Sequence, residues 1–143
     1  MKHELKSLIV LFKAHASVVK HVKQSLVPTN LSVNEFTALE ALYFAGSLSA
    51  QELIDKVLIP NSSMTYVLMS LASKSLITRE RDPMDRRILR SRLTEQGEKE
   101  FEAIYRAHYD HMRNVFDVLT EEEEQQLREL LKKLGKHAEE IAE

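Results

Sequence analysis

Between Ile77 and Leu93 the sequence abandons the three- and four-residue apolar spacing that governs it elsewhere. Two short runs, Ile77 to Asp82 and Ile88 to Leu93, flank Asp82-Pro83-Met84-Asp85, where Pro suits the second position of a type I turn because its ring already fixes φ. This predicts a two-stranded hairpin set between helices. Thr78, Arg79, Glu80 and Arg81 do not alternate cleanly with Ile77, so the ribbon should be largely solvated and isolated from any sheet. A lone two-stranded ribbon is marginal in water. It must therefore be an appendage of a helical body.

That body is written in amphipathic periods. Lys2 to about Leu26 carries Leu5, Leu8, Ile9, Phe12, Ala16, Val19 and Val22 on one stripe, and Pro28 ends it. Ser32-Val33-Asn34-Glu35 is a capping box opening a helix with Phe36, Leu39, Leu42 and Tyr43 inward, and Gly46 is placed to stop it. Ser49-Ala50-Gln51-Glu52 repeats the box ahead of Leu53, Ile54 and Val57. Pro60 suits the start of the next helix, with Asn61 or Ser62 as capping oxygens; Met64, Val67, Leu68 and Leu71 fall on its inner face. Thr94 opens a helix reaching about Leu119 along Phe101, Tyr105, Tyr109, Met112 and Phe116. Thr120 to Glu123 is a third box, leading Leu127, Leu130, Leu131, Leu134, Ala138 and Ile141. Two short helices joined tightly, the second with a polar start, form the pattern of a helix-turn-helix, whose second helix can lie in a major groove.

Charge placement supports that reading where the total does not. The chain of 143 residues has a formal charge of −2. From Asn61 to Arg92, however, seven basic residues face three acidic ones, whereas from Thr94 onward seven face fourteen. Phosphate responds to the field within about 8 Å, so the middle of the chain is the anion-binding candidate. The absence of cysteine excludes disulfides, thiolate zinc sites and thiol redox switches. The glycines are Gly46, Gly97 and Gly135, which permits no phosphate-cradling loop or nucleophile elbow, and no Ser, His and carboxylate arrangement stands out, so no enzyme is expected. No transmembrane run or secretory signal is visible, implying a cytoplasmic protein without a membrane partner.

The apolar stripes of the outer helices exceed what a small DNA-reading lobe can cover, and uncovered apolar surface implies a partner. A second copy is the economical one, giving a twofold homodimer. The chain then divides into an N-terminal dimerisation helix (1–30), a DNA-binding lobe (31–95) and C-terminal dimerisation helices (96–143).

The wing segment Asp82-Pro83-Met84-Asp85-Arg86-Arg87, followed by Leu93-Thr94-Glu95-Gln96-Gly97, resembles the signature of the MarR/SlyA family of transcriptional regulators, here Asp85, Arg87, Leu93, Thr94 and Gly97. Ile59 to Thr65 echoes its recognition-helix pattern, and Ser62 to Val67 is similar to the quinone- and hydroquinone-sensing branch, the MhqR type. Ser75 departs from the glycine usual after the recognition helix. The resemblance implies a mainly α, winged helix-turn-helix fold of about six helices plus a two-stranded β-wing, in an intertwined homodimer.

On this reading Asn61, Ser62, Ser63, Thr65 and Tyr66 face the major groove, with Asn61 better suited to capping than to reading bases. Arg86, Arg87 and Arg90 serve the wing. By its place in the motif Arg87 resembles the arginine that enters the minor groove, although a salt bridge to Asp85 would equally stiffen the turn. With no arginine on the recognition helix to grip guanine, the operator should lean towards A/T and form a pseudo-palindrome. A phenolic or quinone-like effector would sit among Phe12, His15, Tyr43 and Tyr105 and release the repressor; no cofactor is expected. His108 and His111 are spaced as a ligand pair but lack an evident third ligand, so solvated or interface histidines fit better than metal. The rival reading is a dimeric protein-interaction adaptor whose winged helix does not bind DNA.

Overall fold

The computed structural model describes residues 2–57, 59 and 61–142. Six helices and a small sheet follow in the order α1 (Lys6–Leu26), α2 (Val33–Ala45), β1 (Leu48–Ser49), α3 (Ala50–Lys56), α4 (Asn61–Ser73), β2 (Ile77–Arg81), β3 (Leu89–Leu93), α5 (Glu95–Phe116) and α6 (Glu121–Glu140). The expected helix start at Pro60 falls outside the described residues, while Asn61 and Ser62, expected as capping residues, lie within the first turn of α4.

Local side-chain chemistry sets most boundaries. Ser32 and Thr120 each accept a hydrogen bond from the backbone three residues on, and Glu35 and Glu123 reach back to complete both capping boxes. Ser49 accepts from the Glu52 backbone, but the box is not reciprocated: the Glu52 carboxylate turns instead to Arg90. α1 starts at Lys6 rather than Lys2, and its Leu5 cap makes no side-chain hydrogen bond. Gly46 ends α2 at φ +90°, a conformation open to glycine.

The core lies in the middle lobe. Phe36, Leu39 and Leu42 of α2, Leu53 of α3, and Met64, Val67, Leu68 and Leu71 of α4 are all buried, joined by Leu76, Ile77 and Phe101. Burying each such side chain contributes about 1.5–3 kcal/mol. The sheet departs from the expected two-stranded ribbon. Its order is β1-β3-β2, all antiparallel, with Leu48 opposite Ser91 and Ser49 opposite Arg90. β1 gives the hairpin a third strand and ties the middle of β3 to the lobe, which relieves the instability of an isolated ribbon.

A polar knot joins the lobe's ends. The Glu35 carboxylate accepts from Ser70 Oγ and Lys74 Nζ at 2.8 Å each, while Lys74 also donates to the Asn30 carbonyl. Burial alone would push the Glu35 carboxyl up; hydrogen bonds from Lys74, the Ser32 N–H and Ser70 hold it below the usual carboxylate range.

After α4 the chain turns through Ser75 at φ +62°, the left-handed conformation that glycine adopts without cost. Ser75→Gly is therefore expected to raise stability by up to about 1 kcal/mol, the steric relief exceeding the extra entropy of the unfolded chain. A thermal melt showing a lower midpoint for the variant would contradict this.

The outer helices are covered differently. α1 reaches α5 through its C-terminal half, where His21 Nδ1 lies 3.1 Å from His111 Nε2 and Ser25 Oγ lies 2.8 Å from His108 Nδ1. Its other half leaves Ile9, Val10 and Phe12 exposed, and among the described residues α6 buries none. No helix among the described residues is long and apolar enough to cross a membrane.

Candidate nucleic-acid interface

Because Met64, Val67, Leu68 and Leu71 point inward, the opposite stripe of α4 points out. Ser62, Thr65 and Tyr66 lie on it, all exposed, with Asn61 exposed at the helix start and Ser63 half-buried beside it. Tyr66 is 76% exposed. Met69, at 60%, continues the stripe one turn on. Met69 is not among the expected contact residues, although the spacing Ser62, Thr65, Tyr66, Met69 marks the outer face. The stripe offers hydroxyls, a phenol and a thioether; the first two can hydrogen-bond phosphates or base edges, and the last can meet a thymine methyl.

The wing places its charge by a sequence of carboxylate contacts. Asp82 Oδ1 accepts from the backbone N–H of Met84 at 2.7 Å and of Asp85 at 3.0 Å, bending the turn. Asp85 then grips Arg87 bidentately, at 3.0 Å from Nε and 2.9 Å from Nη2, and accepts from its backbone N–H. The guanidinium of Arg87 holds the Asp85 carboxyl below its ordinary range. The Arg87 side chain is 90% exposed, so the pair stiffens the turn and still presents the cation to solvent. Arg86 is exposed beside it.

Arg90 stands apart from these two. Its Nε donates to Asp82 at 2.5 Å and its Nη2 to Glu52 of α3 at 3.1 Å, and it lies half-buried one pair before the turn, opposite Glu80 of β2 and Ser49 of β1. The structure thus brings Arg86 and Arg87 to the tip and turns Arg90 inward.

A second feature lies between α2 and α5, where a cleft of about 490 Å³ is walled by Tyr43, Phe44, Phe101, Tyr105 and Tyr109. Glu102, Asp110 and Arg106 form its polar edge. Tyr43 donates to Glu102 at 2.9 Å, and that acceptor raises the Tyr43 phenol's pKa; burial and the Glu40 charge raise that of Tyr105. Of the expected effector residues, Tyr43 and Tyr105 line this cleft. Phe12 and His15 do not, because they lie on the exposed N-terminal half of α1, away from its junction with α5. His108 and His111 bond across that junction, and burial lowers the pKa of His108. Among the described residues no group of three or more His, Cys, Asp or Glu is arranged to hold a metal ion.

A helix-turn-helix of α3 and α4 beside a hairpin wing, held between outer helices, defines a winged-helix protein of the nucleic-acid-binding kind. Residues 31–89 match the model of the MarR family. The chain is 35% identical to the HTH-type transcriptional regulator MhqR of Bacillus subtilis (strain 168), over 94% of this chain and 92% of that one. It belongs to the MarR family of transcriptional regulators. Among solved structures, NadR in complex with 4-hydroxyphenylacetate superposes with a TM-score of 0.80 at 26% identity, covering 95% of this chain and 96% of that one. A MarR variant from E. coli complexed with operator DNA gives 0.76 at 23% identity, over 93% and 99%, a likeness of fold.

Proposed function

We propose that the protein is a cytoplasmic, homodimeric repressor that occupies a pseudo-palindromic, A/T-leaning operator and is released by a phenolic or quinone-like effector. The observation that carries this is the pairing, on one lobe, of an outward polar stripe on α4 with an exposed cationic wing tip. The stripe contains no arginine to clasp guanine, and a guanidinium at the tip suits the narrow minor groove of A/T tracts.

Residues 1–30 and 96–143 act as dimerisation arms around the DNA-reading lobe of residues 31–95. Support comes from the apolar residues those arms leave exposed: Leu5 just before α1, Leu8, Ile9 and Phe12 on α1, and Leu130, Leu131 and Leu134 on α6. Such a surface is covered at low cost by its own symmetry copy.

The aromatic cleft between α2 and α5 takes the effector. Five aromatic walls suit a planar ring, and the carboxylates at its edge accept from a hydroxyl. NadR, the relative of like fold, holds a hydroxylated aromatic. An effector acts by favouring a dimer whose reading lobes no longer fit the grooves, and only through its differential affinity for the two shapes.

In vitro selection from random duplexes, followed by mobility-shift titration, tests the reading. The expected result is an A/T-rich inverted repeat with half-sites about 10 bp apart, bound by a dimer with affinity falling steeply as salt rises. A chain that sediments as a lone subunit, or ignores duplex at low ionic strength, overturns it. Duplex-independent capture of a protein partner by a stable dimer would favour the adaptor reading.

A further inference from the structure

We infer that Arg90 and Glu52 are positioning residues: they form, with Asp82, a clamp that aims the fingertip arginine Arg87 at DNA without touching DNA themselves. The inference rests on the reading of Arg87 as a DNA contact.

The contacts run unbroken from the helix-turn-helix to the tip. Glu52, in the first turn of α3, accepts from Arg90 Nη2 at 3.1 Å and Nη1 at 3.4 Å. Arg90, on the central strand β3, donates through Nε to Asp82 Oδ2. The other oxygen of Asp82 fixes the backbone N–H of Asp85, and the Asp85 carboxylate holds the Arg87 guanidinium from two sides. Each link is a charge-assisted hydrogen bond with a defined direction, and the Arg87 grip is bidentate, so orientation passes along as well as attraction.

Two observations separate this role from a phosphate contact. All three guanidinium nitrogens of Arg90 face carboxylates of its own chain. One cation between two carboxylates also leaves a net negative cluster, which repels phosphate. A planar fork is needed to bridge two acids at once; a lysine ammonium supplies the charge without the fork. The clamp is the one place among the described residues where α3 is tied to the hairpin by ion pairs; the β1–β3 ladder ties the strands, and the clamp adds a side-chain brace from α3 to the turn at Asp82.

The decisive variant is Glu52→Gln. Its site is partly exposed and its capping contact with Ser49 is made by the backbone, so the fold is retained. Removing a negative charge near DNA should, by charge alone, tighten binding; loosening the clamp should weaken it. Titration of the full-length protein against the duplex it selects is expected to show a loss of about five- to tenfold, with Arg90→Lys behaving alike. Arg87→Ala is then expected to cost several-fold less in the Glu52→Gln background than in the wild type, because a misaimed arginine has less to lose. Equal or tighter binding by Glu52→Gln overturns the clamp, as does a loss that merely adds to that of Arg87→Ala. Wild-type protein that binds no duplex sinks the DNA reading itself, whereas binding that Glu52→Gln leaves intact sinks the clamp alone.

Discussion

Arg87→Ala is expected to weaken operator binding about 10- to 100-fold while leaving the melting temperature and the oligomeric state unchanged. The two halves of that expectation come from the same geometry. Arg87 is 90% exposed and its side chain is held by Asp85 alone, so its removal opens no cavity and strands no buried group. What disappears is a guanidinium held at a fixed angle at the hairpin tip, where a narrow minor groove offers its deepest negative potential. The unpaired Asp85 carboxylate left behind adds repulsion towards phosphate. Mobility-shift titration beside sedimentation of the same sample reads both halves. Unchanged affinity would remove the wing tip from the interface, and loss of the dimer would mean that the hairpin supports pairing.

The second large effect concerns folding. Gly97→Ala is expected to destabilise the chain by about 3 kcal/mol or more, because a Cβ at that position would collide with the backbone carbonyl of Leu76. Backbone cannot rotate aside as a side-chain tip can. The same carbonyl accepts the Thr94 N–H, and Thr94 Oγ1 donates to the Ser75 carbonyl while accepting from the Gly97 N–H. Any movement of α5 away from Leu76 therefore breaks the cap as well. Urea denaturation followed by circular dichroism measures the loss, and a midpoint within experimental error of the wild type would show that the crossing is looser than this geometry requires.

These contacts give physical content to the motif that marked the family in the sequence. Leu-Thr-x-x-Gly is a crossing of two chain segments: Thr94 caps α5, and Gly97 lets the helix lie against the exit of α4. The capping boxes at Ser32 and Thr120 were equally legible, because they depend on residues three apart. So were the inner faces of α2 and α4, which periodicity alone specifies. β1 was not. A strand of two residues has no pattern of its own and exists because Ser91 and Arg90 lie opposite it. For the same reason Glu52 looked like half of a capping box, since its partner Arg90 is distant in sequence. The aromatic cleft between α2 and α5 was half legible. Tyr43 and Tyr105 share a contact between α2 and α5, but nothing local says that α1 meets α5 at His21 and Ser25 rather than at Phe12 and His15.

The crossing at Leu76 limits how such a regulator can let go. The exit of α4 and the start of β2 meet at Ser75 and Leu76 and are fastened there to the first turn of α5. Neither finger can withdraw separately without unlocking that joint. In the paired regulator proposed above, each reading head moves as a solid block, and the adjustable dimension is the gap between heads across the dyad. Detachment is then a matter of mismatched pitch: two intact readers held at a separation that the turn of the double helix does not repeat.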